Sequence, residues 1–259
     1  MTKQPYYMVD FSAASCMFEI RINDTPIISM NIPGQVSTIV PINYALLTSG
    51  KQLVKTSILP ILGETSISEN TFFKYTIQSF DAANNLRFEN QLFGYEFPKI
   101  NKEKLVPIVV NTTDFEANIP FRLQPVWEQG KNLTQIKELK KRLSAAYLEL
   151  GGIVNNRNFH TLKEKLNARE NNMATSMYLS QEESEARING IINDFKNGFD
   201  MANLASDALV IYSSYGKKAS LKRPNGEPAL SFVNKSKKEQ IMLDIEFYLP
   251  KNSNEFQII

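Results

Sequence analysis

The sequence predicts an α+β protein in which an antiparallel β-sandwich precedes helices and antiparallel hairpins. Hydrophobic and polar residues alternate through much of the first 128 residues, hydrophobic spacing changes to three and four residues beyond Gln129, and alternation returns in the C-terminal tail. Residues 1–128 are therefore predicted to form the β-sandwich domain. Residues 129–259 are predicted to form an α+β domain of about three helices followed by β-hairpins.

The first predicted strands lie before residue 41. Apolar side chains at alternate positions in 18–22 are typical of a strand with one buried face. Asn23-Asp24 predicts a turn into a return strand. Pro33-Gly34 predicts the end of that strand, and the β-branched run 36–40 predicts another.

More strands are predicted in the rest of this half. Segments 72–80 and 86–93 flank the turn sequence "DAANN" and predict a hairpin. Shorter strands are predicted at 105–110 and 115–123. Many short strands with no long helical pattern between them favour an antiparallel sandwich.

Residues 16–62 carry a resemblance to a known class. The stretch "RINDTPI" and the later stretch "INYALLTSGKQLVKTSI" are similar to β-sandwich (jelly-roll) modules of the galactose-binding-like class. The resemblance implies a helical turn at 42–47, its end at Gly50, and a strand at 53–59. Asp24 stands where glycine is common in that class, and no sugar-binding residue is carried over.

The second half begins with helical periodicity. Apolar residues at helical spacing over 134–150 predict an amphipathic helix that ends at Gly151-Gly152. A second helix is predicted around 159–166. The capping box Ser180-x-x-Glu183 predicts the start of a third helix, which is expected to bend at Gly198 and continue through Tyr212.

The tail is predicted to return to strands. "LKRPNGEPAL" has a Pro-Asn-Gly turn and predicts a hairpin. The alternation over 241–249 predicts one continuous strand, and "EFQII" predicts a last one.

Composition limits the classes of protein. Hydrophobic residues make up 42% and charged residues 22%, which is typical of a soluble globular protein. A net charge of +2 gives the whole molecule no strong attraction to nucleic acid or acidic membranes, and no apolar run predicts a membrane span. The single cysteine is compatible with the cytosol, whereas a periplasmic or surface location would require a removed signal peptide. The Asn- and Lys-rich composition indicates a bacterial source.

Residue sets for common catalytic chemistries are missing from the sequence. His160 is the only histidine and is interpreted as a solvated helix residue; Cys16 is interpreted as a buried side chain. The "SYGK" of 214–217 matches a serine-lysine pattern but is interpreted as the end of a helix. No catalytic, cofactor-binding or metal-binding residue is assigned, and the protein is predicted not to be an enzyme. A carboxylate-based hydrolase stays open, because 27 acidic residues offer no spacing that selects two.

A local excess of basic residues follows the predicted helices. Together with the only tryptophan, these are the candidate partner-binding residues: Lys217, Lys218, Lys222, Arg223, Lys235, Lys237, Lys238 and Trp127. An acidic protein partner and simple solvation both fit the basic set. Nucleic acid fits less well, because only Tyr215 and Phe232 supply aromatic rings nearby. Trp127 is interpreted as a core or interdomain plug, with a ligand platform as the alternative.

The function predicted from sequence is a non-catalytic bacterial binding protein that recognises another macromolecule. A protein partner is expected, and an accessory or immunity-type role fits this class. A glycan-binding module is the alternative, followed by the carboxylate-based hydrolase.

Overall fold

The structure, a computed structural model, describes residues 3–100 and 105–259. It is an α+β protein whose sheets are antiparallel. The chain divides into two compact units. The first unit takes the chain up to Leu123 together with Ser176–Tyr178, and the second takes Gln124–Thr175 and Leu179–Ile259.

The first unit is a single antiparallel sheet of long strands. Its strands are β1 Pro5–Ile22, β2 Thr25–Pro41, β3 Gly50–Leu59, β4 Phe72–Asp81, β5 Arg87–Glu96 and β6 Val109–Ala117. The strand order is β5-β4-β1-β3-β6. One edge of β1 pairs with β4 and then with β3, while its other edge pairs with β2 along nearly its whole length.

A bulge at Ser15 lets β1 keep one face in the core. Odd-numbered residues are buried from Tyr7 to Ala13, and even-numbered residues are buried from Cys16 to Ile22. Ser15 lies between the two runs with a left-handed backbone (φ 51°). Because strand side chains alternate, the left-handed Ser15 is what shifts the alternation by one residue and keeps apolar side chains inward on both sides of it.

The predicted break at Pro33-Gly34 is wrong. β2 continues through both residues, which face the single residue Ser15 across the bulge. Proline is tolerated there because β2 lies at an edge of the sheet, where a backbone N–H can be dispensed with.

The β4–β5 hairpin is confirmed. The separate strands predicted at 105–110 and 115–123 are wrong, since one strand, β6, spans Val109–Ala117. The helical turn predicted from the resemblance is a 3-10 helix at Asn43–Ala45, and Gly50 begins β3 with a positive φ of 108°.

The second unit contains three helices and two small sheets. Its elements are α1 Leu139–Asn155, α2 Phe159–Ser176, α3 Gln181–Lys196, β7 Asp200–Met201, β8 Leu209–Ser213, β9 Lys218–Lys222, β10 Ser231–Asn234, β11 Glu239–Met242, β12 Phe247–Tyr248 and β13 Gln257–Ile258. The sheet orders are β11-β10-β7 and β13-β12-β9-β8. Leu143, Leu150, Phe195 and Phe232 lie in one apolar core.

The predicted end of the first helix at Gly151-Gly152 is wrong. α1 begins at Leu139 and runs to Asn155. A Cβ atom on Gly151 would lie 1.8 Å from Sδ of Met201, so glycine is needed here for close packing against β7 rather than for ending the helix.

The start of α3 is confirmed and its predicted continuation is wrong. Ser180 and Glu183 form a capping box. The helix stops at Lys196, just before Gly198 (φ 96°), and Tyr212 lies in β8. A left-handed glycine ends the helix here, where a bend was expected.

Two predictions in the tail are also wrong. The strand predicted over 241–249 is two strands in different sheets, because β11 ends at Met242 and β12 begins at Phe247. The "SYGK" sequence is not a helix end, since it forms the turn between β8 and β9. Ser214 and Tyr215 both have positive φ there.

Candidate functional site

Four of the predicted basic residues are held within the second unit. Lys217 donates from Nζ to the Gly130 carbonyl at 2.9 Å. Lys222 forms an ion pair with Asp244, and Arg223 lies 3.5 Å from Ser231 Oγ. These three side chains are half-buried and make their contacts within the second unit.

Lys218 is the most buried of these cations. Its Nζ lies 2.5 Å from the Glu246 carboxylate and 4.9 Å from the centre of the Trp127 ring. Ser213 donates to the same carboxylate. Burial alone would raise the pKa of Glu246, but the nearby Lys218 ammonium and the hydrogen bonds outweigh it and lower that pKa.

Trp127 is buried beneath this ion pair. It lies in a 3-10 helix, Val126–Gln129, and only 5% of its surface is exposed. Its indole Nε1 has no hydrogen-bond partner among the residues that the structure describes. The burial makes Trp127 a packing residue that covers a cation, and it leaves no open ring face as a ligand platform.

The remaining three lysines are exposed on one turn. Lys235, Lys237 and Lys238 lie between β10 and β11. The buried Asn234 builds this turn by accepting hydrogen bonds from Ser236 and from the Lys237 amide. The predicted set therefore splits into a structural group and an exposed turn, because Asp244 and Glu246 supply the balancing charge from beyond the basic stretch.

His160 and Cys16 lie where the sequence interpretation placed them. The His160 side chain is 85% exposed on α2, 3.4 Å from Glu164. Cys16 is fully buried in β1, and burial raises the pKa of its thiol to about 11. No group of three or more potential metal-ligating side chains occurs among the described residues.

The most prominent unpartnered feature of the first unit is the outer edge of β2. In the part of the chain that the structure describes, this strand pairs only with β1. The stretch 33–39 is its most exposed part, with six of these seven residues exposed and Val36 half-buried. Ile39 is 43% exposed.

The direction of the peptide groups along this edge follows from one hydrogen bond. The Ile42 N–H donates to the Tyr7 carbonyl at 2.9 Å, so Tyr7 and Ile42 face each other as a hydrogen-bonded pair. Peptide groups alternate in direction along an antiparallel ladder. Gln35, Ser37 and Ile39 therefore point their N–H and C=O groups away from β1.

β2 lacks one of the usual protections of an edge strand, which is charge. Its 17 residues, "TPIISMNIPGQVSTIVP", include no charged side chain. Edge strands commonly carry lysine or other charges that prevent another strand from pairing with them. Here Pro33 and Pro41 flank an uncharged, β-branched segment, which we name the edge window (residues 34–40).

A second candidate lies beside the β4–β5 turn. A depression of about 440 Å³ is lined by Lys3, Asp81, Asn84, Arg87, Phe88, Glu89 and Asn90. Phe88 is 54% exposed and packs edge-on against Phe80, with ring centres 5.7 Å apart. The site thus presents an aromatic ring beside carboxylate, amide and guanidinium groups.

The turn that bounds this depression has an unusual backbone. Asn85 and Leu86 both have positive φ, and the Leu86 side chain is 45% exposed. Asp81 accepts hydrogen bonds from the amides of Gln4 and Ala83, both at 3.1 Å, which fixes the start of the turn. Lys3 and Glu89 form an ion pair at 2.7 Å across the rim.

Comparisons with protein-family models, curated proteins and solved structures found no match. Among the described residues, no helix is both long enough and apolar enough to cross a membrane.

Sequence reasoning missed both the edge window and the Phe88 depression. The absence of charge over 25–41 was a readable signal for the first, but the assumed break at Pro33-Gly34 divided the strand. The second had no signal, because Lys3 and Asp81 lie far apart in sequence and meet only through β1–β4 pairing.

Proposed function

We propose that this protein is a non-catalytic binding protein that recognises another protein by accepting an extended segment along the edge window of β2. The single observation that carries the proposal is an exposed edge strand without any charged residue. Main-chain hydrogen bonds to an added strand supply affinity in this mode of recognition.

We also propose a fold class for the first unit. We propose that this unit is a β-sandwich in which parts of its one continuous sheet lie on both sides of the apolar core, and that residues 16–62 belong to the galactose-binding-like class. Support comes from β1, which pairs with β4 over its first half and with β3 over its second, and from the 3-10 helix and Gly50 that precede β3. The loops and edges of such scaffolds are common binding surfaces.

Two proline substitutions test the docking edge. Ser37 points its N–H away from β1, so Ser37→Pro removes a docking donor without removing a ladder hydrogen bond. Thr38 points its N–H toward Phe11 of β1, so Thr38→Pro is expected to destabilise the sheet. We expect Ser37→Pro to keep a cooperative thermal transition, and Thr38→Pro to lower the transition temperature by several degrees below that of Ser37→Pro.

Photo-crosslinking then measures whether a protein binds at the edge window. A benzophenone side chain installed at Gln35 in the full chain should give a discrete adduct with a protein, and Ser37→Pro should abolish it. The same group at Lys55, an exposed residue of β3 that is paired on both sides, is the control. Equal adducts at both positions, or an adduct that survives Ser37→Pro, would contradict the proposal.

Glycan binding is a second candidate, favoured by the Phe88 depression. An exposed ring beside planar polar groups suits the apolar face and hydroxyls of a sugar. A glycan array should show hits that Phe88→Ala removes. Phe72→Ala is the matched control, because Phe72 is a 38% exposed aromatic residue on β4 outside the depression. An array without hits would remove this candidate.

A further inference from the structure

We infer that the strand accepted by the edge window is β2 of a second copy of this chain, so that the protein forms a two-fold symmetric dimer. This inference rests on the proposed function, since it names the occupant of the same edge. Three features of β2 carry it: the direction of its peptide groups, the position of its prolines and its lack of charge.

The outward-pointing peptide groups of the edge window can pair with the same groups of a second copy. An antiparallel pair centred on Ser37 places Ser37 opposite Ser37 of the second copy, and Gln35 opposite Ile39 of the second copy. These are the residues that point their peptide groups outward, so they meet as hydrogen-bonded pairs. Three N–H groups from each copy then find carbonyl acceptors, which leaves no donor of Gln35, Ser37 or Ile39 unpaired.

The prolines end the pairing at the same place on both copies. Pro33 and Pro41 each lie four residues from Ser37. The two-fold axis therefore brings Pro33 of one copy opposite Pro41 of the other. Neither proline has an N–H to continue the ladder, so the pairing stops at both ends and the assembly closes as a dimer.

The absence of charge fits self-pairing in particular. A two-fold interface sets the same surface against itself, so a charge near the axis would face its own copy. No such repulsion arises along the 17 residues of β2. The nearest acidic side chain in this register, Asp10, lies one strand back from the edge, where it pairs with Ile39.

A cysteine at the centre of the window tests the register. Hydrogen-bonded antiparallel pairs have Cα atoms about 5.5 Å apart, within the range of about 4.4–6.8 Å that a disulfide spans. The native Cys16 is fully buried with a raised pKa, so the new thiol is the one that reacts. We expect Ser37→Cys to form a disulfide-linked dimer on mild oxidation and Lys55→Cys to remain a monomer.

The mass of the untreated protein gives the second measurement. Sedimentation at tens of micromolar should give twice the chain mass of 29.5 kDa for the wild type and the chain mass itself for Ser37→Pro. A monomeric wild type, or equal disulfide formation by Ser37→Cys and Lys55→Cys, would overturn the inference.

The outcomes separate this inference from the proposed function. If the wild type is monomeric and the crosslinker at Gln35 joins a different protein, the self-pairing inference fails and the docking edge stands. If it is monomeric and the crosslinker joins no protein, both fail.

Discussion

Lys218 was predicted from sequence to bind a partner, and in the structure its side chain is buried in an ion pair with Glu246. Its charge contributes to the basic stretch in the sequence, yet the side chain is only 6% exposed and lies between Glu246 and Trp127. Removing one member of a buried ion pair leaves the other charge without compensation, and this commonly costs more than the pair contributes.

We therefore expect Lys218→Met to destabilise the protein by about 3 kcal/mol, at the lower end of the range for buried pairs because the Glu246 side chain is 21% exposed. Lys222→Met is the control, since its partner Asp244 is 56% exposed and returns to water, and it should cost less than about 1 kcal/mol. Urea unfolding at neutral pH measures both. Equal losses would mean that Glu246 is not left buried without a partner.

The same pair predicts a pH dependence. The pKa of Glu246 is lowered from its usual value of 4.5 in the folded state, so folding favours the carboxylate. Its contribution is present above that usual pKa and is lost as the pH falls through the lower folded value. The stability difference between wild type and Glu246→Gln should therefore shrink between neutral pH and about pH 3, as measured by urea unfolding. A constant difference would contradict the direction of the pKa change.

At the scale of elements, two adjacent glycines of α1 have opposite roles. A Cβ on Gly151 would overlap Met201, whereas a Cβ on Gly152 would meet nothing within 4 Å. From sequence alone, both glycines were predicted to end the helix. Only the packing of β7 against α1 shows that Gly151 is in close contact and Gly152 is not.

Gly151→Ala should destabilise the protein by about 1–2 kcal/mol through overpacking, offset in part by better helix propensity. Gly152→Ala should stabilise it by about 0.5–1 kcal/mol. Thermal unfolding measures both, and Met201→Ala should restore most of the loss in the Gly151→Ala background. If the double variant is as unstable as Gly151→Ala alone, the overlap with Met201 is not the cause.

Patterns among residues close in sequence predicted which helices and strands form better than they predicted where those elements end. The capping box located α3, and the hairpin at "DAANN" was correct, because both depend on residues close in sequence. The ends of α1 and β2 depend on a neighbour distant in sequence, Met201 in one case and Ser15 in the other. The internal ion pairs of Lys218 and Lys222 were missed for the same reason, since Asp244 and Glu246 lie beyond the stretch in which charges were counted.

At the scale of the whole molecule, the first unit needs three residues from far along the chain. The Asn43 side chain accepts from the Tyr7 amide at 2.7 Å and donates to the Ser176 carbonyl at 2.9 Å. The Tyr178 hydroxyl donates to the Pro5 carbonyl at 2.8 Å. Ser176 is the last residue of α2 and Tyr178 lies three residues before α3, so the chain leaves the second unit and returns to it within this short segment.

Unfolding of the two units should therefore be coupled. Asn43→Ala leaves buried backbone groups unpaired, at about 1–3 kcal/mol each, and should lower the urea midpoint of both units. Reaction of Cys16 with a thiol reagent reports on the first unit, and Trp127 fluorescence reports on the second. If only the Cys16 midpoint moves, the units unfold independently.

The placement of Ser176–Tyr178 also has a consequence during synthesis. A ribosome that has just added Leu123 has not yet made Ser176, which Asn43 contacts, or Met177, which Tyr6 contacts. The nascent sheet must therefore wait for these contacts until the end of α2 and the residues after it emerge from the exit tunnel. Recombinant fragments cut after Leu123 would be released in this unfinished state, which makes them poor candidates for separate expression.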